Sequence, residues 1–274
     1  MASAPAHRCR VLLSPWPGLY ATDTWSGRHY GRHSHGTYGF GVLHDGAQRS
    51  SSDSRSFDAY AGDILATNPG EMHDGRPLGG PTRRWHTVYL EPELLASVAG
   101  LQRVGELRIA RAAFGDPALR AAVQRLVDAL EQWRHGPRDA LLCEETLVAA
   151  CGLLVARHTT QAGSPVPSAP VERARQRLQE ELAAPPSLAE LAAEVGVSRF
   201  QLLRRFAQVH GCTPHAWLMQ QRAERARVLI AGGTSLVAAA SACGFADQAH
   251  MTRLFTRQFG FTPGSWQRTA RGLQ

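Results

Sequence analysis

The feature that most constrains this chain is that part of it occurs twice. Gly211-Cys212-Thr213-Pro214-His215-Ala216-Trp217 matches Gly260-Phe261-Thr262-Pro263-Gly264-Ser265-Trp266 at an offset of 49. The same offset pairs Ser198 with Asp247, Leu202 with Met251, Arg204 with Arg253 and Phe206 with Phe255. Slightly upstream the offset is 48, pairing Ser187-Leu188 with Ser235-Leu236 and Gly196 with Gly244. The second copy has therefore gained one residue in its turn. Residues 187–266 hold one supersecondary unit twice.

The first copy reads as helix, turn, helix. Ser187-Leu188-Ala189-Glu190 is a capping box that starts a short helix with Leu188, Leu191, Ala192 and Val195 on its apolar face. Gly196 breaks that helix by supplying a left-handed turn residue. Ser198-Arg199-Phe200-Gln201 is a second capping box, and the helix it starts points Leu202, Phe206 and Val209 inward. The second copy runs from Leu236 to Ala242, turns at Gly244, caps at Asp247 and continues from Gln248 to Phe259. Between the copies a helix is predicted from Pro214 at its first turn to Gly232-Gly233 at its end. At 1.5 Å per residue its length is roughly 26 Å. Successive major-groove faces of duplex DNA lie about 34 Å apart. A stiff helix of this length, plus the width of the units it joins, suits two recognition helices in neighbouring grooves.

Charge points the same way. Residues 171–274 contain 13 Arg and 7 acidic residues, a net +6, whereas residues 1–170 contain 17 and 16, a net +1. The excess positive charge sits on the repeat, as a polyanion partner requires. The second helix of each copy turns Arg199, Gln201, Arg204 and Arg205, or Gln248, His250, Arg253 and Arg257, outward. Arg and Gln are the side chains that read guanine and adenine edges through paired hydrogen bonds, and an outward Leu203 can meet a thymine methyl.

Residues 171–270 resemble the DNA-binding domain of the AraC/XylS family. The resemblance is carried by Cys243-Gly244-Phe245-Ala246-Asp247-Gln248, Phe255, Phe259-Gly260-Phe261-Thr262-Pro263 and Trp266. It implies base contacts from the exposed start of each second helix: Phe200, Leu203 and Arg204 in the first, and Gln248, Ala249, His250, Thr252 and Arg253 in the second. It also implies a homodimer, binding to double-stranded DNA, a cytoplasmic setting, and contact with RNA polymerase where the protein activates, which is the family's commoner habit.

Ahead of the repeat, Thr159-Thr160-Gln161-Ala162-Gly163-Ser164-Pro165-Val166-Pro167-Ser168-Ala169-Pro170 reads as a linker. It divides a first domain, 1–158, from the helical domain, 171–274. Residues 8–90 show short alternating runs with turn signals at His44-Asp45-Gly46, Tyr60-Ala61-Gly62-Asp63 and Asn68-Pro69-Gly70, hence a small barrel or sandwich. Helical spacing follows at Leu119, Val123, Leu126, Leu130 and Trp133, and again at Leu147, Cys151, Leu154 and Val155. These two helices either cover the barrel or pair with another subunit. The fold class expected is α+β: a cupin-like β-barrel with two helices, linked to an all-α domain with two helix-turn-helix units joined by a long helix.

The cupin resemblance is carried by Arg32-His33-Ser34-His35, Gly41 to Gly46, Asn68-Pro69-Gly70-Glu71-Met72-His73-Asp74-Gly75 and Trp85. It implies a small-molecule effector held by His33, His35, Tyr38, His73, Trp85 and Tyr89, with the first 24 residues as an arm over the pocket. Metal-binding cupins use HxH, then a Glu, then a later His. Here His33, His35 and His73 fit, but Tyr38-Gly39-Phe40 stands where the Glu belongs. Three imidazoles with an open position suit zinc or iron, but sensor domains of this family commonly lack the metal, so the resemblance implies a sensor without metal or cofactor. A metal-dependent enzyme or metal sensor joined to a DNA-binding domain is the alternative. The chain has no nucleotide loop, no GxSxG and no nucleophile–His constellation, so no enzyme is expected. Five cysteines at 9, 143, 151, 212 and 243, with no CxxC pair, read as reduced thiols. No run of 18 apolar residues marks a membrane span.

Overall fold

The computed structural model describes residues 6–52, 55–99, 107–135, 139–161 and 169–271, without the side chains of His135, Gln161, Arg199, Phe200, Arg204 and Arg271. The chain forms two compact units that divide after residue 162. Within the described residues, no helix is long and apolar enough to cross a membrane.

The first unit opens with nine strands: β1 (His7–Leu13), β2 (Leu19–Ser26), β3 (Tyr30–His33), β4 (Tyr38–Asp45), β5 (Ala47–Ser52), β6 (Arg55–Tyr60), β7 (Ile64–Thr67), β8 (His73–Pro77) and β9 (Arg83–Leu90). There follow α1 (Pro92–Val98), β10 (Leu107–Ile109), β11 (Ala113–Phe114), α2 (Pro117–His135), α3 (Ala140–His158) and β12 (Thr159–Gln161). One antiparallel sheet has the order β1-β2-β9-β4-β7-β11, and a second has the order β3-β8-β5-β6.

Strand alternation divides the six-stranded sheet into two different faces. Phe40, Val42, Val88 and Leu90 form one core with Leu119, Val123, Leu126 and Leu130 of α2 and Leu147, Cys151 and Leu154 of α3. The two helices thus cover the sheet. The opposite face of β9 carries Arg83, Trp85, Thr87 and Tyr89, and it turns toward the four-stranded sheet: Tyr30 of β3 packs edge-on to Trp85 at 5.9 Å.

Two expectations change here. The N-terminal arm is not an arm among the described residues: His7–Leu13 pairs along its length with β2. A run that can satisfy its backbone groups in a ladder has no reason to stay free. The linker is also shorter than 159–170. Thr159–Gln161 pairs with β10, and the next helix already begins at Ala169.

A polar cluster ties β2 to β9. Arg84 donates to both Asp23 oxygens at 3.1 Å, His86 Nε2 lies 3.2 Å from Asp23, and His86 Nδ1 lies 3.0 Å from His44 Nε2. Burial pushes the Asp23 carboxyl up, but the bonds from His86 and Arg84 outweigh it and hold the group well below the usual carboxylate range.

The second unit contains α4 (Ala169–Glu180), α5 (Leu188–Glu194), α6 (Arg199–His210), α7 (Pro214–Ala231), α8 (Leu236–Ala242), α9 (Gln248–Phe259) and α10 (Pro263–Arg271). Both predicted capping boxes form: Ser187 with Glu190, and Ser198 with Gln201. Asp247 caps α9 by accepting from His250 N at 2.6 Å. Val209 is not inward; it is exposed, and His210 takes the inner position, its ring 4.5 Å from Phe206. From Phe206 a 3.6-residue period reaches residue 210 as readily as 209.

The two turn glycines are equivalent in backbone but not in surroundings. Gly196 has φ +69° with open space where a Cβ would be. Gly244 has φ +75°, and a Cβ there would come within 2.5 Å of the Ala183 carbonyl oxygen. Gly196→Ala should therefore cost only left-handed backbone strain, about 1 kcal/mol. Gly244→Ala should cost at least twice that, read as the difference in urea unfolding midpoint of the second unit. For the first unit, Asp23 has a depressed folded pKa, so its contribution is complete above the unfolded value, about 3.9, and is lost as pH falls toward the folded one. Asp23→Asn should lower stability at pH 7 by about 1.5–3 kcal/mol. It should also flatten the fall in unfolding midpoint between about pH 5 and 2.

Candidate functional site

The first candidate site lies between the two sheets. His33 ends β3, His35 lies in the loop that follows, and His73 starts β8, where it pairs with His33. One ligand atom from each of the three lies within 4.8 Å of the others. Two of the rings are aimed by the backbone. His33 Nδ1 is 2.7 Å from the Gly31 carbonyl oxygen, and His73 Nδ1 is 2.9 Å from that of Glu71. A carbonyl only accepts, so each Nδ1 holds the proton and each Nε2 keeps its lone pair. Burial, then the neighbouring His73, lowers His33 to about 3; burial, then His35, lowers His73 to about 4. Both imidazoles are neutral at pH 7.

Tyr89 packs edge-on to His35 at 5.3 Å and stacks on Tyr20 at 4.7 Å. Trp85 joins the group through Tyr30, which lies 6.5 Å from His33. Five of the six expected pocket residues therefore line one interior. Tyr38 does not. It lies on the helix-facing side of β4, in register with Leu90, and donates its hydroxyl to the Leu107 carbonyl at 2.6 Å. Alternation decides this: Gly39, not Tyr38, is the register partner of Tyr89. Tyr20, Tyr30 and Arg83 also line the interior and were missed. Tyr20 was accessible to alternation, since it pairs directly with Tyr89.

These three imidazoles make a donor set that suits zinc or iron with an open position. Among the described residues no carboxylate completes it. Glu71 is buried but turned away, accepting from Asn68 Nδ2 at 2.6 Å and from the Ser52 hydroxyl.

The second candidate site is the outer face of α6 and α9. Gln248, Ala249 and Arg253 are exposed, and Leu203, His250 and Thr252 are half-buried. His250 packs edge-on to Phe245 at 5.5 Å, which fixes its ring at the start of α9. Gln201 is exposed, but its Oε1 accepts from Ser198 N at 3.0 Å, so only its amide group is free to reach a base. The side chains expected to read DNA at Arg199, Phe200 and Arg204 lie outside the described residues. Among the described residues, Arg205, Arg253 and Arg257 make no ion pair, so their guanidinium groups remain available to phosphate or base.

What presents this face is a longer repeat than sequence matching first finds. Glu172-Arg173-Ala174-Arg175 of α4 recurs as Glu224-Arg225-Ala226-Arg227 of α7. In both, Glu pairs with the Arg three residues on. In both, that Arg lies over a Trp: Arg175 over Trp217 at 5.8 Å and Arg227 over Trp266 at 5.7 Å. Helix α4 thus supports the first helix-turn-helix as α7 supports the second. The offset of 52 here, against 48–49 downstream, hid the match, because the loop after α4 is longer.

Two family profiles match the chain. The AraC-like ligand binding domain covers residues 18–150, and a helix-turn-helix domain covers 191–269. The HTH-type transcriptional regulator YbfI of Bacillus subtilis is 26% identical over 224 residues, 80% of each chain. The virulence regulon transcriptional activator VirF of Yersinia enterocolitica is 32% identical over 95 residues, 34% of this chain and 35% of that one. Among solved structures, ToxT of Vibrio cholerae aligns over 98% of both chains with a TM-score of 0.53 at 10% identity. ToxT bound to an unsaturated fatty acid gives 0.54 at 11% identity, covering 97% of this chain and 96% of that one. At such identity the likeness is one of fold: a β-rich unit and a helix-turn-helix unit. A ligand-binding-domain profile over the sheets and a helix-turn-helix profile over the repeat, in this order, make the chain a member of the AraC family of transcriptional regulators.

Proposed function

We propose that this chain is an effector-controlled regulator that reads duplex DNA with α6 and α9 and takes a small organic molecule between the sheets of its first unit. The observation that carries this reading is the doubled unit itself. Two capped second helices, each seated on its own Glu–Arg–Trp support, present polar and cationic side chains at repeat-related positions. At 1.5 Å per residue, the 18 residues of α7 make a rigid connector about 27 Å long. The interior bounded by His33, His35, His73, Trp85 and Tyr89 mixes aromatic walls with a few polar groups, as small-molecule sites do.

The protein acts as a homodimer in the cytoplasm, where an effector alters DNA affinity by binding one of two states more tightly than the other. The name of VirF favours activation, with RNA polymerase as the further partner. No catalytic step is assigned to the chain. A second reading, a metal-bearing sensor, rests on the three clustered imidazoles, of which His33 and His73 give Nδ1 to a backbone carbonyl and so keep the Nε2 lone pair. About one zinc or iron per chain in protein purified without chelators, lost in both His33→Ala and His73→Ala, would establish it.

Operator binding followed by fluorescence anisotropy tests the main reading. Affinity should fall with salt, by about 0.9 log units per log unit of salt for each phosphate contact. Arg253→Ala should lose about 1–3 kcal/mol on the operator and much less on unrelated DNA, as expected of a base contact. Salt-independent affinity would refute DNA binding through this face. A broad metabolite set that never changes operator affinity would refute effector control.

A further inference from the structure

Arg83 stands apart from the other buried arginines. It is 1% exposed and shares the inward face of β9 with Trp85. Its Nε donates to Gln48 Oε1 at 2.6 Å and its Nη1 to the Arg28 carbonyl at 3.1 Å. Its guanidinium lies 4.7 Å from the Trp85 ring centre and 5.8 Å from that of Tyr30. Among the described residues no carboxylate pairs with it, and its Nη2 has no acceptor. Nη2 lies over Gly75, where a Cβ would come 3.4 Å from it and 3.3 Å from Gln48 Nε2 and Ser50 Oγ.

The second unit shows how this chain satisfies a buried arginine when the role is structural. Arg227 has its own acid, with Nε 3.0 Å from Glu224. Arg222 spends Nε and Nη2 on the Leu182 and Ala183 carbonyls, at 2.7 and 3.3 Å. Arg83, like Arg222, has no acid among the described residues and bonds through Nε and one Nη nitrogen, but it is the most deeply buried of the three, 1% exposed against 8% for Arg222 and 7% for Arg227. A charge removed from water without a counter-charge is costly, so buried charges are normally paired. Aromatic faces offset part of that cost but not the unused donors. A carboxylate would accept in pairs from the planar guanidinium, and Trp85 and Tyr30 offer flat apolar walls for the rest of the molecule.

We propose that Arg83 is the anchor for the anionic head of the effector, which is therefore an organic acid with an apolar or aromatic body. This rests on the effector reading above and names its ligand class.

The test uses the full chain and four probes: phenylacetate and octanoate, each against its own uncharged amide. Thermal unfolding midpoint and calorimetric affinity are read for wild type, Arg83→Met and Arg83→Lys. At least one acid should raise the wild-type midpoint where its amide does not. Arg83→Met should abolish that response; because it also leaves Gln48 Oε1 and the Arg28 carbonyl without their donor, the response is read as the shift from that variant's own ligand-free midpoint. Arg83→Lys, which keeps the charge but loses the fork, should bind at least tenfold more weakly, and it serves alone if the Met variant does not fold. Equal responses to acid and amide, or a response that survives in either variant at full strength, would overturn the anion assignment and leave the effector reading standing. No response to either acid would also overturn the assignment, while effector control itself is decided separately by the operator measurement.

Discussion

Two arginines on α7 hold the DNA-binding unit together. Arg222 is buried and gives its donors to the Leu182 and Ala183 carbonyls, in the stretch that leads into the first helix-turn-helix. The turn of the second helix-turn-helix comes to the same place, since a Cβ on Gly244 would meet both Ala183 and Arg222. One side chain therefore couples the entrance of one copy to the turn of the other. Nine residues before the helix ends, this lock precedes a second one: Arg227 with Glu224, whose other oxygen lies 3.5 Å from Gln258 Nε2 of α9. Unpairing either buried guanidinium would leave donors without acceptors, which is far costlier than losing a surface ion pair. The relative placement of α6 and α9 depends on these contacts more than on any surface charge.

The same logic explains why the connector is a helix with so little polar surface. Pro214 and Thr213 fix its start, the Thr213 hydroxyl accepting from Ala216 N at 3.2 Å. Trp217, Ala223, Ala226 and Ile230 are buried along its length. Trp266 donates its indole N–H to the Arg227 carbonyl at 2.8 Å, which docks α10 against it. A helix packed on several sides behaves as a core element rather than as a spacer.

In the first unit the division of labour follows from strand alternation. One face of the six-stranded sheet is apolar and is sealed by α2 and α3. The other bears Arg83, Trp85, Thr87 and Tyr89, facing the histidines. A sheet with one dry face and one polar, aromatic face positions ligand-binding groups on rigid strands while stability is supplied from behind.

The repeat, its turns and its caps were legible in the sequence, because each rests on local rules: Gly196 and Gly244 at positive φ, Ser187, Ser198 and Asp247 accepting from their own first turns. The HxH pair and the later His73 were legible as a group only through the resemblance to cupins, since no local rule brings residues 33 and 73 together; the pairing of β3 with β8 does. Local rules do not fix which face of a strand is inside. Tyr38 and Tyr89 look alike in sequence, and only the pairing of β4 with β9 sends one into the helix-packed core and the other beside His35. Nor do they reveal a buried cation. Arg83 becomes distinctive only when two sheets close over it and no acid arrives with it. Sequence by itself determined which segments could turn, cap and repeat, because those free energies are local. Tertiary structure decided which side chains share an interior, because burial and charge pairing join residues far apart in the chain.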